Sequence, residues 1–447
     1  MRGLMTGREL KLRAVAAIDA AREELVGIGH DLYAMPETGF REERTSAYVR
    51  QALTDCGLEV RDGIALTGLK AKAKGRRHDI NVALMGELDA LIMPSHADSD
   101  PRTGAFHGCG HHAQLTTIIG VAIGLVRSGL IGCLDGDLTF IAVPAEEVIE
   151  LSYRRELIEA GKIEFVSGKQ EFIRLGEFDD IDMVLCSHIM GRTPAPHCWV
   201  GHSWNGVLHK TVQFRGRSAH AGLAPDNGIN ALQAALCAMN NINALRDSLR
   251  DTDHVRIHYI ITKGGDSANI VPDDVRMEFG VRAATVETML SVNGRVNAAI
   301  RAGAAAVGAR VFIDDSAGAY LPCHQSNALG QIYLANAREI IGSADTEDCF
   351  GVHRGSSTDC GDVASLLPLL HPYFGGAVGE PHGADFEIVD DEAAYVVPAK
   401  LAAATVIDLL SDSAVAAKRI QSDFRPAFAG KDEYLRLFSS LGQECPA

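Results

Sequence analysis

Phe106-His107-Gly108-Cys109-Gly110-His111-His112-Ala113 packs a thiol, three imidazoles and two glycines into one short stretch. Cys109 and His111 alternate around Gly110, so both can point to one side of a turn, and glycine lets donors and backbone crowd a small ion. A short C-x-H pattern is weak evidence by itself. A divalent ion of the zinc or manganese class takes roughly four to six N, O or S ligands drawn from several chain segments. Glu147, His188 and His382 complete such a set with Cys109 and His111. Each has an ordinary reading too: Cys109 as a buried thiol, Glu147 as a surface charge, His188 and His382 as hydrogen-bonded loop histidines. Glu146 and Glu147 are neighbours at the end of an apolar run, where one carboxylate can hold metal while the other faces bound water. Glu146 is then the general base, and the chemistry is metal-assisted hydrolysis. Asp89 is expected to orient a ligand from behind, with Glu87 a further candidate ligand.

The elements that position these residues follow from hydrophobic patterning. Ile80 to Met85, Leu138 to Val143 and Met183 to Cys186 read as buried strands, followed by Glu87 and Asp89, by Glu146 and Glu147, and by His188. Ligands bind at such C-terminal strand ends in open α/β sheets. Leu115 to Leu125 reads as a buried helix directly after the Cys-Gly-His turn. Glu9 to Leu32 and Glu42 to Cys56 read as helices, and Glu37 between them as a solvated charge. Beyond Ser326, the pattern gives helix Ala328 to Ile341, helix Gly361 to Leu367, strand Leu369 to Phe374 and a long helix Glu392 to Leu410 bent at Pro398. The tail from Ala414 reads as amphipathic helix.

From Val207 the order of elements is β-α-β-β-α-β, a ferredoxin-like pattern. Residues 207–322 are expected to form an inserted lid domain, with 1–206 and 323–447 forming the catalytic domain. In the insert, His220 sits on a tight Gly/Ser turn, where a structural histidine is the ordinary case. Asn269 and Arg282 are candidates for a carboxylate, arginine by two parallel hydrogen bonds; a surface ion pair is the alternative for Arg282.

The chain has 447 residues, 47% of them hydrophobic, enough for a large core and two domains. Its net charge of −16 argues against nucleic acid or an anionic membrane as partner. Ten scattered cysteines suit a reducing compartment rather than a disulfide framework. No secretory signal is evident, and the longest apolar run noted, Thr116 to Val126, is shorter than the ~18 residues of a membrane span. The cytoplasm is the expected location.

Taken as a set, Glu87-Leu88-Asp89-Ala90-Leu91, His107-Gly108-Cys109-Gly110-His111, Pro144-Ala145-Glu146-Glu147, Ser218-Ala219-His220-Ala221 and Asn269-Ile270-Val271-Pro272 resemble a known family. It is the two-domain metal-dependent amidohydrolases and peptidases that include aminoacylases, carboxypeptidase G and auxin-conjugate hydrolases. The His-Gly-Cys-Gly-His stretch and Ser357-Thr358-Asp359-Cys360-Gly361-Asp362-Val363 look most like the p-aminobenzoyl-glutamate hydrolase B-subunit branch. The resemblance implies an α/β class fold: a zinc-peptidase-like α/β/α catalytic domain with an inserted lid that dimerises. It further implies that His220 reaches the partner subunit's active site to stabilise an oxyanion, and that Asn269 and Arg282 hold a substrate carboxylate. Two positions depart from the family pattern, His112 where Asp or Asn is common and Gln114 where some branches have histidine. A metal-bridging carboxylate is thus absent at 112, which favours one tightly held Zn2+ or Mn2+ over two, and His112 becomes a candidate substrate contact.

The leading expectation is a cytoplasmic homodimer or higher homo-oligomer that hydrolyses the amide of an N-acyl or aminobenzoyl amino acid, a small carboxylate-bearing substrate. Hydrolytic deamination of an aromatic amine such as an aminobenzoate is the alternative on the same site. A Cys109 nucleophile activated by His111 and a non-catalytic metal-binding protein rank below both.

Overall fold

Six strands assemble into one sheet, in the order Val60–Ile64, Gly68–Ala73, Asp137–Val143, Asn81–Glu87, Met183–Cys186 and Leu369–Leu370. The last four strands are parallel, while Gly68–Ala73 joins antiparallel to Asp137–Val143. The two central strands are buried at every residue, as strands covered on both faces must be. The computed structural model of the chain describes residues 5–316 and 318–444. Those residues form two units: 5–202 with His324–Val352 and Leu366–Ala427, and Ser203–Cys323 with His353–Ser365 and 428–444.

In the first unit, helix His111–Val121 is buried throughout and packs on strand Asn81–Glu87. It runs into a wider π-helical turn, Ala122–Arg127. The first helical stretch is two helices, Gly7–Ala20 and Arg22–Tyr33, because the backbone at Ala21 leaves helical geometry. The bend lets Leu10, Ala14 and Ile18 share one core with Leu25, Ile28 and Leu32. Glu37 is no solvated charge. Its Oε2 accepts the N–H groups of Arg44 and Thr45, each at 2.9 Å, and so caps helix Glu43–Asp55 from outside. Strand Leu369 to Phe374 is two short strands, Leu369–Leu370 and Tyr373–Phe374, which pair in different sheets; Pro372 between them lacks the N–H for a continuous ladder.

The stretch Glu392–Leu410 is long and apolar enough to cross a membrane, although its charges at Glu392, Lys400 and Asp408 hide this in the sequence. It is a core helix here, 94% buried. A π-helical turn covers Glu392–Val396 and leads directly into helix Val397–Leu410, with Pro398, which has no N–H to donate, at the junction where the wider turn ends. Helices Leu151–Glu159 and Gly168–Leu175 complete the unit.

The second unit has the expected β-α-β-β-α-β order. Its antiparallel strands lie as Arg256–Lys263, Asp274–Ala283, Gly206–Arg215 and Arg310–Asp314, with helices Ala231–Leu245 and Val286–Ala306 packed on them. The tail divides. Helix Val415–Asp423 lies in the first unit, whereas helix Lys431–Ser440 lies in the second and strand Gln443–Glu444 extends its sheet beside Arg310–Asp314. Segment His353–Ser365 also belongs to the second unit, where Ser203–Trp204 pairs with His353–Arg354 and the Tyr434 hydroxyl donates to Asp362 at 2.7 Å.

Candidate metal centre

Parallel neighbours end on the same side of a sheet, so strands Asn81–Glu87, Asp137–Val143 and Met183–Cys186 deliver Glu87, Glu146 with Glu147, and His188 to one edge. The Cys-Gly-His turn reaches that edge from helix His111–Val121. Gly110 adopts the left-handed conformation (φ 73°), and a Cβ there would collide with the Ile189 side chain. Glycine at 110 is what permits the turn.

The structure brings all five expected metal ligands together. Donor atoms of Cys109, His111 and His188 lie within 4.8 Å of one another, as do those of Cys109, Glu147 and His382, so the thiol is common to both groups. Cys109 Sγ is 3.2 Å from His188 Nε2, and His382 Nε2 is 3.0 Å from Glu147 Oε1. His111 Nδ1 donates to the Asp89 carbonyl (2.9 Å) and lies 3.2 Å from its carboxylate; His188 Nδ1 donates to the Ile189 carbonyl (2.6 Å). Both imidazoles therefore turn the Nε2 lone pair toward the cluster, as metal-binding histidines do. Asp89 Oδ2 also accepts the Glu147 N–H at 2.9 Å, so one buried carboxylate sets two of the donors.

Burial opposes ionisation of Cys109, but His188 and His111 outweigh it and hold the thiol well below its ordinary value. Burial and then the Cys109 charge push the Glu147 carboxyl up to about 7. Hydrogen bonds to Cys109 and Glu147 push His382 up to about 10. Without a cation the cluster must share protons among itself. His111 Nε2 and Glu147 Oε1 are buried without a well-aligned hydrogen bond. Soft sulfur, three imidazoles and a carboxylate, with such lone pairs converging, fit a divalent ion of the zinc or manganese class.

Glu146 stands beside the cluster, its carboxylate within 4.8 Å of donor atoms of His111 and Glu87. The loop carrying it is held by residues that no local pattern announced. Glu42 Oε1 accepts the Ala145 N–H at 2.9 Å, and the fully buried Arg154 donates to the carbonyls of Glu147 and Val166.

His112 is not in the site. It follows His111 on the same helix, about 100° further round, and its ring packs fully buried against Tyr33, His107 and Tyr395, with Nε2 3.2 Å from the Tyr395 hydroxyl. A substrate contact expected of His112 is replaced by a place in the core. Gln114, the other departure, lies against the strand end, where its amide donates to Glu87 Oε2 at 2.6 Å.

His220, Asn269 and Arg282 lie in the second unit. His220 is exposed, and its Nδ1 accepts the N–H groups of Gly222 (3.2 Å) and Leu223 (3.0 Å), which leaves the ring proton on Nε2 as a free-standing donor. Asn269 is exposed beside it, where its carbonyl accepts the Ala221 N–H. Arg282 donates to Ser357 Oγ (2.6 Å) and His258 Nε2 (3.2 Å). Among the described residues no carboxylate pairs with it, which removes the ion-pair reading.

Residues 204–307 match the family model of the peptidase dimerisation domain. The chain is 29% identical over 379 residues to the Xaa-Arg dipeptidase of Mus musculus, covering 82% of this chain and 79% of the relative. It is 27% identical over 319 residues to the p-aminobenzoyl-glutamate hydrolase B-subunit of Escherichia coli, covering 68% and 61%. Among solved structures, a Bacillus subtilis protein described as a dinuclear metal binding peptidase from the M20 family superposes with a TM-score of 0.67 at 21% identity, covering 88% of this chain and 99% of that one. The fold is thus an M20-like α/β catalytic domain with an inserted dimerisation domain. The chain is an enzyme, a metal-dependent hydrolase.

Proposed function

We propose that this enzyme hydrolyses a C–N bond, the amide of an N-acyl amino acid or dipeptide whose free carboxylate is held by Arg282. The observation that carries this reading is the carboxylate of Glu146 set within 4.8 Å of His111, beside five residues that fit a divalent ion. The names of the two relatives, a dipeptidase and an aminobenzoyl-amino-acid hydrolase, support the same bond class. Bound metal, as one Zn2+ or Mn2+, supplies Lewis acidity toward water and the amide carbonyl. Glu146 takes the proton from the attacking water and returns it to the leaving nitrogen. Asp89 keeps His111 and Glu147 in place through both transfers. The Nε2 proton of His220 suits an oxyanion, and the guanidinium of Arg282, which no carboxylate among the described residues pairs with, suits that of a substrate. We further propose a cytoplasmic homodimer, in keeping with the dimerisation-domain match.

The test is metal analysis of the purified protein followed by a hydrolysis screen over N-acyl amino acids, dipeptides, aminobenzoyl conjugates and aminobenzoates. Glu146→Gln is expected to retain metal while kcat falls by about 10²- to 10⁴-fold. Arg282→Met is expected to raise KM for carboxylate substrates by roughly 10- to 100-fold, the worth of a hydrogen bond to a charged group. Full activity in Glu146→Gln contradicts the base assignment, and release of ammonia from an aminobenzoate would move the reaction to an aromatic amine.

A further inference from the structure

Arginine carries its N–H donors in a rigid fork, and Arg282 has already spent two of them inside the second unit. Its Nε donates to His258 Nε2 at 3.2 Å and its Nη1 to Ser357 Oγ at 2.6 Å. Two parallel bonds to a carboxylate can leave a guanidinium by only two edges, Nε with Nη2 from the side or Nη1 with Nη2 from the end. With Nε taken by His258, only the end remains.

The place of His258 is built into the sheet. His258 on strand Arg256–Lys263 and His209 on strand Gly206–Arg215 both pair with Gly280, on strand Asp274–Ala283 between them. Directly paired residues share a face, so two imidazoles flank a position with no side chain, and Arg282 stands two residues further along that same face. Glycine weakens a strand interior and marks a close approach. Gly280 lies in regular strand, where no left-handed turn calls for it, and a Cβ there would collide with the His258 ring. The bare backbone therefore gives the imidazole room to lie across the strand and reach Arg282. Burial and then the Arg282 charge hold both histidines below their ordinary range, His209 at about 4. A neutral imidazole keeps a lone pair for the Nε–H. The exposed Arg256 is the cross-strand neighbour of Arg282, and such a like-charge pairing favours a bound anion.

We infer that His258 is a positioning residue that turns the guanidinium of Arg282 end-on to the substrate carboxylate, in the space that Gly280 leaves for its ring. His258 acts through Arg282, and Ser357 steadies the same guanidinium from the returning segment His353–Ser365. The inference rests on the proposed role of Arg282 and deepens it.

The experiment is calorimetric binding of N-benzoylglycine and of its carboxamide to the Mn2+-loaded full chain, in the Glu146→Gln background that suppresses turnover. That background is expected to bind the acid roughly 10- to 100-fold more tightly than the amide, and Arg282→Met to abolish the preference. Adding His258→Phe, which keeps a ring over Gly280 and removes the acceptor, is expected to weaken the acid by about 3- to 10-fold and leave the amide unchanged. His258→Gln, which keeps an acceptor, is expected to recover the acid. An acid-to-amide ratio unchanged by His258→Phe, equal losses for both ligands, or no recovery in His258→Gln overturns the inference. No preference for the acid before His258 is altered, or a preference that survives Arg282→Met, overturns the role of Arg282 instead. Should His258→Phe fail to fold, Gly280→Ala decides: the same selective loss is expected, and an unchanged ratio overturns the inference.

Discussion

Asp89 and Glu42 show how much of this site is controlled by carboxylates that cannot touch a substrate. Glu42 is fully buried, bonded to Thr67 Oγ1 at 2.7 Å and to the Ala145 N–H. Burial, and then the Asp89 charge, push its carboxyl up to about 8. The folded chain holds this proton more tightly than the unfolded chain does. Its stabilising contribution is therefore complete below the ordinary value of 4.5 and lost as pH rises through about 8. Glu42→Gln, neutral at every pH, should remove a slope of up to about 1.4 kcal/mol per pH unit from the stability of the metal-free protein across that window. Urea unfolding at several pH values checks it; parallel wild-type and variant profiles would contradict it. Cys109, His111, Glu147, His188 and His382 could be read from the sequence because each follows a strand or a glycine turn. Lys169 could not. It meets Glu87 across 82 positions in sequence, and a buried ion pair leaves no periodic trace. His112 misled because adjacency in sequence puts two histidines on different sides of a helix.

At the scale of elements, the metal-binding turn is set by the entry to helix His111–Val121. Gly110→Ala should lose at least about 1–2 kcal/mol from the left-handed backbone alone, with more from the collision at Ile189. It should bind metal more weakly than it loses stability, since Cys109 and His111 flank the strained residue. Chelator competition and thermal unfolding separate the two effects. Strands Asn81–Glu87, Asp137–Val143 and Met183–Cys186 were legible because full burial makes them continuous apolar runs. Helices Leu151–Glu159 and Gly168–Leu175 were not, since Arg154, Lys169, Gln170 and Glu171 are buried polar residues that break the helical pattern.

At the scale of the molecule, each unit is discontinuous in sequence. The second is fastened by helix Lys431–Ser440, through the fully buried Tyr434. Tyr434→Phe strips a hydrogen bond from a buried carboxylate and should cost about 1–3 kcal/mol. Hydrogen exchange should rise in 353–365 and 428–444 while the first unit keeps its protection; a uniform rise across both would contradict a local role. The insert at 207–322 was legible as a pattern of strands and helices, but the return of 353–365 and 428–444 to it was not, because long-range pairing has no local signature. The threaded arrangement also has a meaning for biosynthesis. Domains generally fold in order as they emerge from the ribosome, yet here the second unit lacks a helix and a strand until residues 431–444 are made, and the first unit is still awaiting its core helix near residue 400. The nascent chain must wait, with two half-built cores in view of the cell's chaperones, and slowing synthesis between residues 323 and 431 would prolong that exposure.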